Sequence, residues 1–155
     1  MIIYPDACCY SRPFDNQEHL EIPNVRGEIA AILAIVKISK ILGYSIAGSS
    51  AVTDEIGRIS EAGKLKNVQD YYKETVNMHI PMSTDVRNRA NWLMETLGLK
   101  LYDSYHLALA EVAGADYLLT TDLRFQRNCA RKYFGGVRVV NPLTLLPEVI
   151  KWVQR

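Results

Sequence analysis

Residues 102 to 113 read Tyr-Asp-Ser-Tyr-His-Leu-Ala-Leu-Ala-Glu-Val-Ala, and residues 114 to 125 continue Gly-Ala-Asp-Tyr-Leu-Leu-Thr-Thr-Asp-Leu-Arg-Phe. The first half predicts a helix from Tyr102 to Ala113, because its apolar residues recur on one face and Gly114 supplies the usual left-handed stop. Tyr117 to Thr120 is a short apolar run that predicts a strand, and a second helical pattern runs from Leu123 to Tyr133. Strands separated by helices pair in parallel through right-handed crossovers.

The same alternation extends in both directions. Met1 to Tyr4 predicts a strand that stops at Pro5-Asp6, where a missing N–H is harmless. Ser11 to Pro23 is polar with two prolines and reads as a loop. From Asn24, a plausible N-cap, Val25, Ile29, Ile32, Leu33 and Val36 recur at helical intervals until Gly43. Tyr44 to Ala47 reads as a strand, Ser49-Ser50 as the cap of a helix to about Ser60, and Leu65 to Asn77 as another helix. A strand at His79-Ile80 precedes a helix opened by Ser83-Thr84 and stopped by Gly98. A strand from Val137 to Val140 and a helix from Thr144 to Val153 complete the pattern. Together these predict one α/β domain over residues 1–155, a three-layer α/β/α sandwich around a short central parallel sheet.

Composition narrows the function classes. At 155 residues and 48% hydrophobic, the chain buries a sizeable core without disulfides or a structural metal. Cys8 and Cys9 are adjacent and Cys129 stands alone, with no C-x-x-C pair, as in a reduced cytoplasmic protein. The longest apolar run, Ile29 to Val36, is far below the roughly 20 residues of a membrane span. Pro5, Asp6, Arg12 and Asp15 occupy the place where an export signal would need its apolar segment. Eighteen Lys+Arg against 17 Asp+Glu give a net charge of +1, which excludes nucleic-acid binding by bulk charge but allows a local basic patch beside an acidic pocket.

In open parallel sheets the functional site lies beyond the carboxyl ends of the strands. Acids collect there. Asp6 follows the first strand, Glu55 lies about a turn into the helix after the second, and Asp122 follows the strand at Tyr117. Asp103 sits in the first turn of the helix leading into that strand. Each acid at a helix N-terminus is also explained by capping and the macrodipole. A converging set, however, would repel itself unless a divalent cation neutralised it, and hard oxygen donors suit Mg²⁺ or Mn²⁺.

These residues carry a resemblance. The segment from Tyr102 through Ala110, with Gly114 through Phe125, resembles the "D-A-x-H-L-A-x-A…G-A-D-x-L-x-T-x-D-x-x-F" half of PIN domains. Residues 3 to 15, Ile-Tyr-Pro-Asp-Ala-Cys-Cys-Tyr-Ser-Arg-Pro-Phe-Asp, resemble the "L-D-T-C-C-x-x-R-P-F-D" opening of one bacterial PIN subgroup. Ser49 to Ile56 resembles the family's "S-S-x-x-x-x-E-I" segment. The resemblance implies a metal-dependent nuclease with Asp6, Asp103 and Asp122 holding Mg²⁺ or Mn²⁺ and Glu55 binding a second ion or orienting water. It further implies an RNA substrate, the toxin role of a VapC-like toxin-antitoxin pair with a small antitoxin partner, and a homodimer. Pro5, Ala7 and Ser104 depart from the family pattern, and all four acids are kept.

Secondary assignments stay open at this level. Glu28, near the start of the long first helix, is an alternative to Glu55, and Asp116 is either a site acid or a turn acid. Thr121 reads as a donor to metal-bound water or phosphate, or as a simple cap. Arg124, Arg127 and Arg131 form a helical stripe that is either a phosphate track or a solvated face, and Arg12 is a second phosphate candidate. One of Cys8 and Cys9 is expected to be packing. His106, three residues after Asp103, is within reach of the cleft, but its otherwise apolar helix reads it as a hydrogen-bonded structural residue, and Trp92, Leu93, Met94 and Leu97 read as core or a subunit contact. Two other classes compete: a non-catalytic PIN-like module binding RNA or protein, which the retained acids disfavour, and a phosphoacceptor receiver. The receiver needs paired acids after its first strand and a Lys after its last, and neither is present.

Overall fold

A computed structural model describes residues 1–16 and 21–155; His19, which has no usable context in the sequence, lies outside the described residues. The chain forms β1 (Ile2–Pro5), α1 (Ala7–Ser11), a 3₁₀ turn (Arg12–Phe14), α2 (Val25–Ile41), β2 (Ser45–Ser49), α3 (Ser50–Gly57) and α4 (Ala62–Thr75). It continues through β3 (Met78–Ile80), α5 (Thr84–Leu97), α6 (Leu101–Ala113), β4 (Tyr117–Leu119), α7 (Leu123–Lys132), β5 (Arg138–Val140) and α8 (Pro142–Val153). The strands form one parallel sheet in the order β3-β2-β1-β4-β5. None of the described helices is long and apolar enough to cross a membrane.

Strand alternation explains the layers. On β1 and β4, Tyr4 and Leu118 point into one core with Tyr10, Val52, Leu93, Leu107 and Phe125, which draws α3 to α7 onto that face. Ile3, Tyr117 and Leu119 point the other way and meet Ile32, Ile35, Leu145 and Val149 from α2 and α8. Both faces are therefore buried, as a parallel sheet requires. The expected α/β/α sandwich is what forms.

Local chemistry sets most element ends. Ser49 accepts from the Val52 N–H and Ser83 from the Val86 N–H, while Gly98 and Gly114 adopt φ of +69° and +68° where α5 and α6 stop. Two expectations need correction. Ser11, where the foreseen loop begins, closes α1, and Arg12–Phe14 form the 3₁₀ turn. Asn24 precedes α2 in the left-handed region, φ 72°, and its side chain caps nothing. At Gly48 a Cβ would lie 2.1 Å from the Tyr72 hydroxyl, so the close packing of α4 over β2 requires glycine there.

Candidate metal centre

The strand order reverses at β1, with β2 on one side and β4 on the other, so the crevice opens beyond the ends of β1 and β4. There a cleft of about 510 Å³ is lined by Asp6, Glu55, Asp103 and Asp122. Arg12 and Thr121 also line it, whereas the exposed Arg124 and Arg127 do not.

Each acid is positioned by a different element. The Asp6 N–H donates to Leu119 O at 3.0 Å, extending the β1–β4 ladder by one rung, and its carboxylate makes no cap bond to α1. Asp6 is 6% exposed and its Oδ1 accepts from Cys8 Sγ at 2.6 Å. Burial, followed by the adjacent Cys8, raises its pKa well above the ordinary carboxyl value. Asp122 Oδ1 caps α7, accepting from the Arg124 and Phe125 N–H groups at 2.9 and 3.1 Å. Its Oδ2 faces Lys100 Nζ at 3.9 Å. The cap and site readings of Asp122 are thus compatible, because each uses a different oxygen.

Asp103 sits in the first turn of α6. Its carboxyl is pushed up to about 6, first by desolvation and then by the negative charges of Asp122 and Asp6. The neighbouring Ser104, where the resembling pattern has Ala, satisfies its hydroxyl by donating to Leu101 O at 2.6 Å.

Glu55 enters from α3, and its Oε1 is bonded to Nε2 of His106. His106 is 2% exposed. Its Nδ1 lies 2.9 Å from the Tyr4 hydroxyl, which lies 2.6 Å from Ser49 Oγ. A carboxylate accepts, so Nε2 donates to Glu55. Nδ1 shares its hydrogen bond with the Tyr4 hydroxyl, whose oxygen also bonds Ser49 Oγ. Burial raises the Tyr4 pKa well above its ordinary value, keeping that hydroxyl protonated. His106 therefore does more than fill the core: it ties Glu55 to the buried end of β1. Its position three residues after Asp103, on the same helical face, is the signal in the sequence.

The remaining candidates separate. Glu28 is buried and its Oε2 accepts from Asn141 Nδ2 at 2.7 Å; it does not line the cleft. Asp116 lies before β4 and its Oδ2 accepts from the Ile2 N–H at 2.8 Å, as a turn acid does. Thr121 Oγ1 lies 3.2 Å from Cys8 Sγ, and Arg12 pairs with Asp15 at 3.6 Å. Cys9 is the packing cysteine, buried with its thiol toward Leu119 O, whereas Cys8 lines the cleft. The sulfurs of Cys8 and Cys9 and an Asp6 oxygen nevertheless all lie within 4.8 Å of one another. Lys100, Tyr102 and Cys8 are cleft residues that sequence reasoning did not assign. In α5, Leu93 and Leu97 are core, whereas Trp92 is 52% exposed beneath the Arg89 guanidinium.

The donor set fits a hard divalent cation, since four carboxylates line the cleft and the charges of Asp122 and Asp6 add to burial in raising Asp103. The family model for the PIN domain matches residues 22–130. The chain belongs to the PIN domain family. That match includes Glu55, Asp103 and Asp122, and Asp6 lies ahead of it. None of the curated proteins matches this PIN domain chain. Among solved structures, it is similar to FitAcB from Neisseria gonorrhoeae, with TM-score 0.56 and 15% identity over 92% of this chain and 98% of that one. VapBC2 from Rickettsia felis, bound to a DNA fragment from its promoter, gives TM-score 0.55 and 16% identity over 91% and 98%. PAE2754 from Pyrobaculum aerophilum gives TM-score 0.55 and 15% identity over 97% and 99%. At such identities these likenesses speak for the PIN fold alone.

Proposed function

We propose that this PIN domain is a metal-dependent endoribonuclease whose Mg²⁺ or Mn²⁺ is held by Asp6, Asp103 and Asp122, with Glu55 at the edge of the same site. The observation that carries the reading is the shared cleft of four acids, in which burial and then the negative charges of Asp122 and Asp6 push the Asp103 carboxyl up to about 6. Bound there, a divalent ion supplies a counter-charge for the phosphoryl oxygens and lowers the pKa of water.

The chain's own residues have separable roles. His106 holds Glu55 Oε1, leaving Oε2 to take a proton from a water in the cleft. Lys100 and Arg12, both in the cleft wall, meet the phosphates on either side of the scissile bond. Thr121, in the cleft wall, donates to a phosphate oxygen or a water in this reading. The likeness to VapBC2 and FitAcB supports a further proposal, that the protein acts as the toxin of a pair with a small antitoxin.

Cleavage of a mixed RNA pool with Mn²⁺, with EDTA and with Asp103→Asn tests this. Cleavage is expected with Mn²⁺ and not in the other two conditions. Activity that survives both chelation and the substitution overturns the proposal.

A further inference from the structure

The two helices that bring Glu55, Asp103 and His106 into the metal cleft turn their adjacent faces toward a second hollow. One position earlier on α3 is Asp54, with Ser50 a turn before it; one position earlier on α6 is Tyr102, with Tyr105 a turn later. With Met82 and Arg87 these residues line a cavity of about 390 Å³. Tyr102 lines both spaces, so the second hollow opens directly beside the first.

The shared wall is rigid. The Tyr102 hydroxyl is bonded to Asp54 Oδ2 and to the Arg58 guanidinium, which also lies over its ring at 4.6 Å from the centroid. Tyr105 packs edge to face against it with centroids 5.5 Å apart. Met82 adds an apolar side, and its N–H donates to Ser50 Oγ at 3.1 Å, leaving the Ser50 hydroxyl hydrogen free to donate elsewhere. The exposed Arg87 has no carboxylate partner among the described residues.

We propose that this hollow is a nucleobase subsite for single-stranded RNA: a base next to the scissile phosphate packs against Tyr102 and Tyr105, and Arg87 meets the phosphate beyond it. This rests on the nuclease reading for the position of the scissile phosphate. The chemistry is a hollow walled by two tyrosines set edge to face, with hydrogen-bonding groups and one unpaired cation at its rim, which suits an unstacked base better than a duplex whose bases are sequestered.

The test measures binding by fluorescence anisotropy, with Ca²⁺ in the buffer, to a single-stranded RNA of about ten nucleotides and to the same length of abasic ribose phosphate. Wild type is expected to bind the intact RNA about tenfold more tightly, the scale of one base stacked on an aromatic side chain. Tyr105→Leu, which keeps an apolar contact with the core, is expected to erase that preference by weakening only the intact RNA. Tyr105→Phe keeps it, and Arg87→Gln weakens both ligands alike. Equal wild-type affinity for the two ligands, or an equal loss on both in Tyr105→Leu, overturns the subsite. Base preference without Mn²⁺-dependent cleavage refutes the nuclease reading and leaves the subsite standing; cleavage without base preference does the reverse.

Discussion

Strand β4 has an aspartate just before its first residue and another shortly after its last, and the fold treats them in opposite ways. Asp116, at the amino end, is committed to structure: its side chain takes the Ile2 N–H at 2.8 Å, and its own N–H and carbonyl continue the sheet ladder to Ile2 and Arg138. Asp122, at the carboxyl end, gives one oxygen to the α7 cap and keeps the other in a cleft shared with three more acids. Amino ends of parallel strands receive the preceding chain, whereas carboxyl ends launch helices whose first turns surround an open crevice. A carboxylate satisfied by backbone contributes to stability. Carboxylates that crowd one another raise the cost of their own ionisation and so favour a cation.

The sharpest way to break this contrast is to remove one charge at each end. Asp6→Asn or Asp103→Asn is expected to lower kcat about a hundredfold or more, the scale of losing one electrostatic element of the transition state. Asp116→Asn is expected to leave kcat within about twofold and to lower stability by about 1 kcal/mol through weakening of one hydrogen bond. Denaturant titration beside RNA cleavage reads both numbers. A large loss of kcat in Asp116→Asn would abolish the distinction between the ends.

His106 tests whether support for the cleft reaches through the core. Because it holds Glu55 from behind and bonds Tyr4, which in turn bonds Ser49, His106→Ala is expected to cost about ten- to a hundredfold in kcat or Mn²⁺ affinity, as removal of an orienting partner does. His106→Gln, which can donate to Glu55, is expected to recover part of it. If Mn²⁺ affinity by calorimetry and kcat both stay at wild-type values in His106→Ala, Glu55 is positioned by something else.

The combined burial and crowding of Asp103 are measurable without substrate. The Asp103 carboxyl, raised from 3.8 to about 6, binds its proton more tightly in the folded chain than in the unfolded one. Its contribution therefore favours the fold fully below about 3.8 and is lost as pH rises through about 6. Metal-free Asp103→Asn is accordingly expected to match wild type near pH 4 and to exceed it at pH 7.5, by on the order of 1–2 kcal/mol once partial solvent screening is allowed for. If Asp103 holds the ion as proposed, added Mn²⁺ is expected to reverse the order, because wild type gains more from the bound ion. A stability difference that does not change with pH would show that Asp103 is neither buried nor crowded enough to hold its proton.

What the sequence made legible follows the range of the forces involved. The stops at Gly98 and Gly114, the caps at Ser49, Ser83 and Asp122, and the periodicity of α2 and α6 are local, and each was readable from a few neighbouring residues. The five-residue α1 was not, since Ala-Cys-Cys-Tyr-Ser is too short to show a period and forms where the chain leaves β1 for the core. Asn24 misled because its residue type suits a cap while its left-handed backbone points the side chain elsewhere. The acids could be assigned to strand ends by topology alone. The spacing from Asp103 puts His106 on the cleft side of its helix, but its partners Tyr4 and Glu55 lie 102 and 51 positions away and no local pattern names them.

The same limit applies to the arginine stripe, where the smallest effect is expected. Arg124 and Arg127 are exposed on α7 and do not line the cleft, whereas Arg12 and Lys100 do, although the first pairs with Asp15 and the second approaches Asp122. If the stripe is a phosphate track leading from Asp122, Arg127→Ala lowers the slope of log affinity against log salt by about 0.7, one counterion's worth for a single strand, and leaves kcat unchanged. If it is a solvated face, the slope does not move. Lys100→Ala then serves as the internal comparison: its side chain stands in the cleft wall, so its removal should reduce the slope by the same amount and also slow cleavage. A change in slope for Lys100→Ala alone would confine RNA contact to the crevice and make α7 a support for Asp122 only.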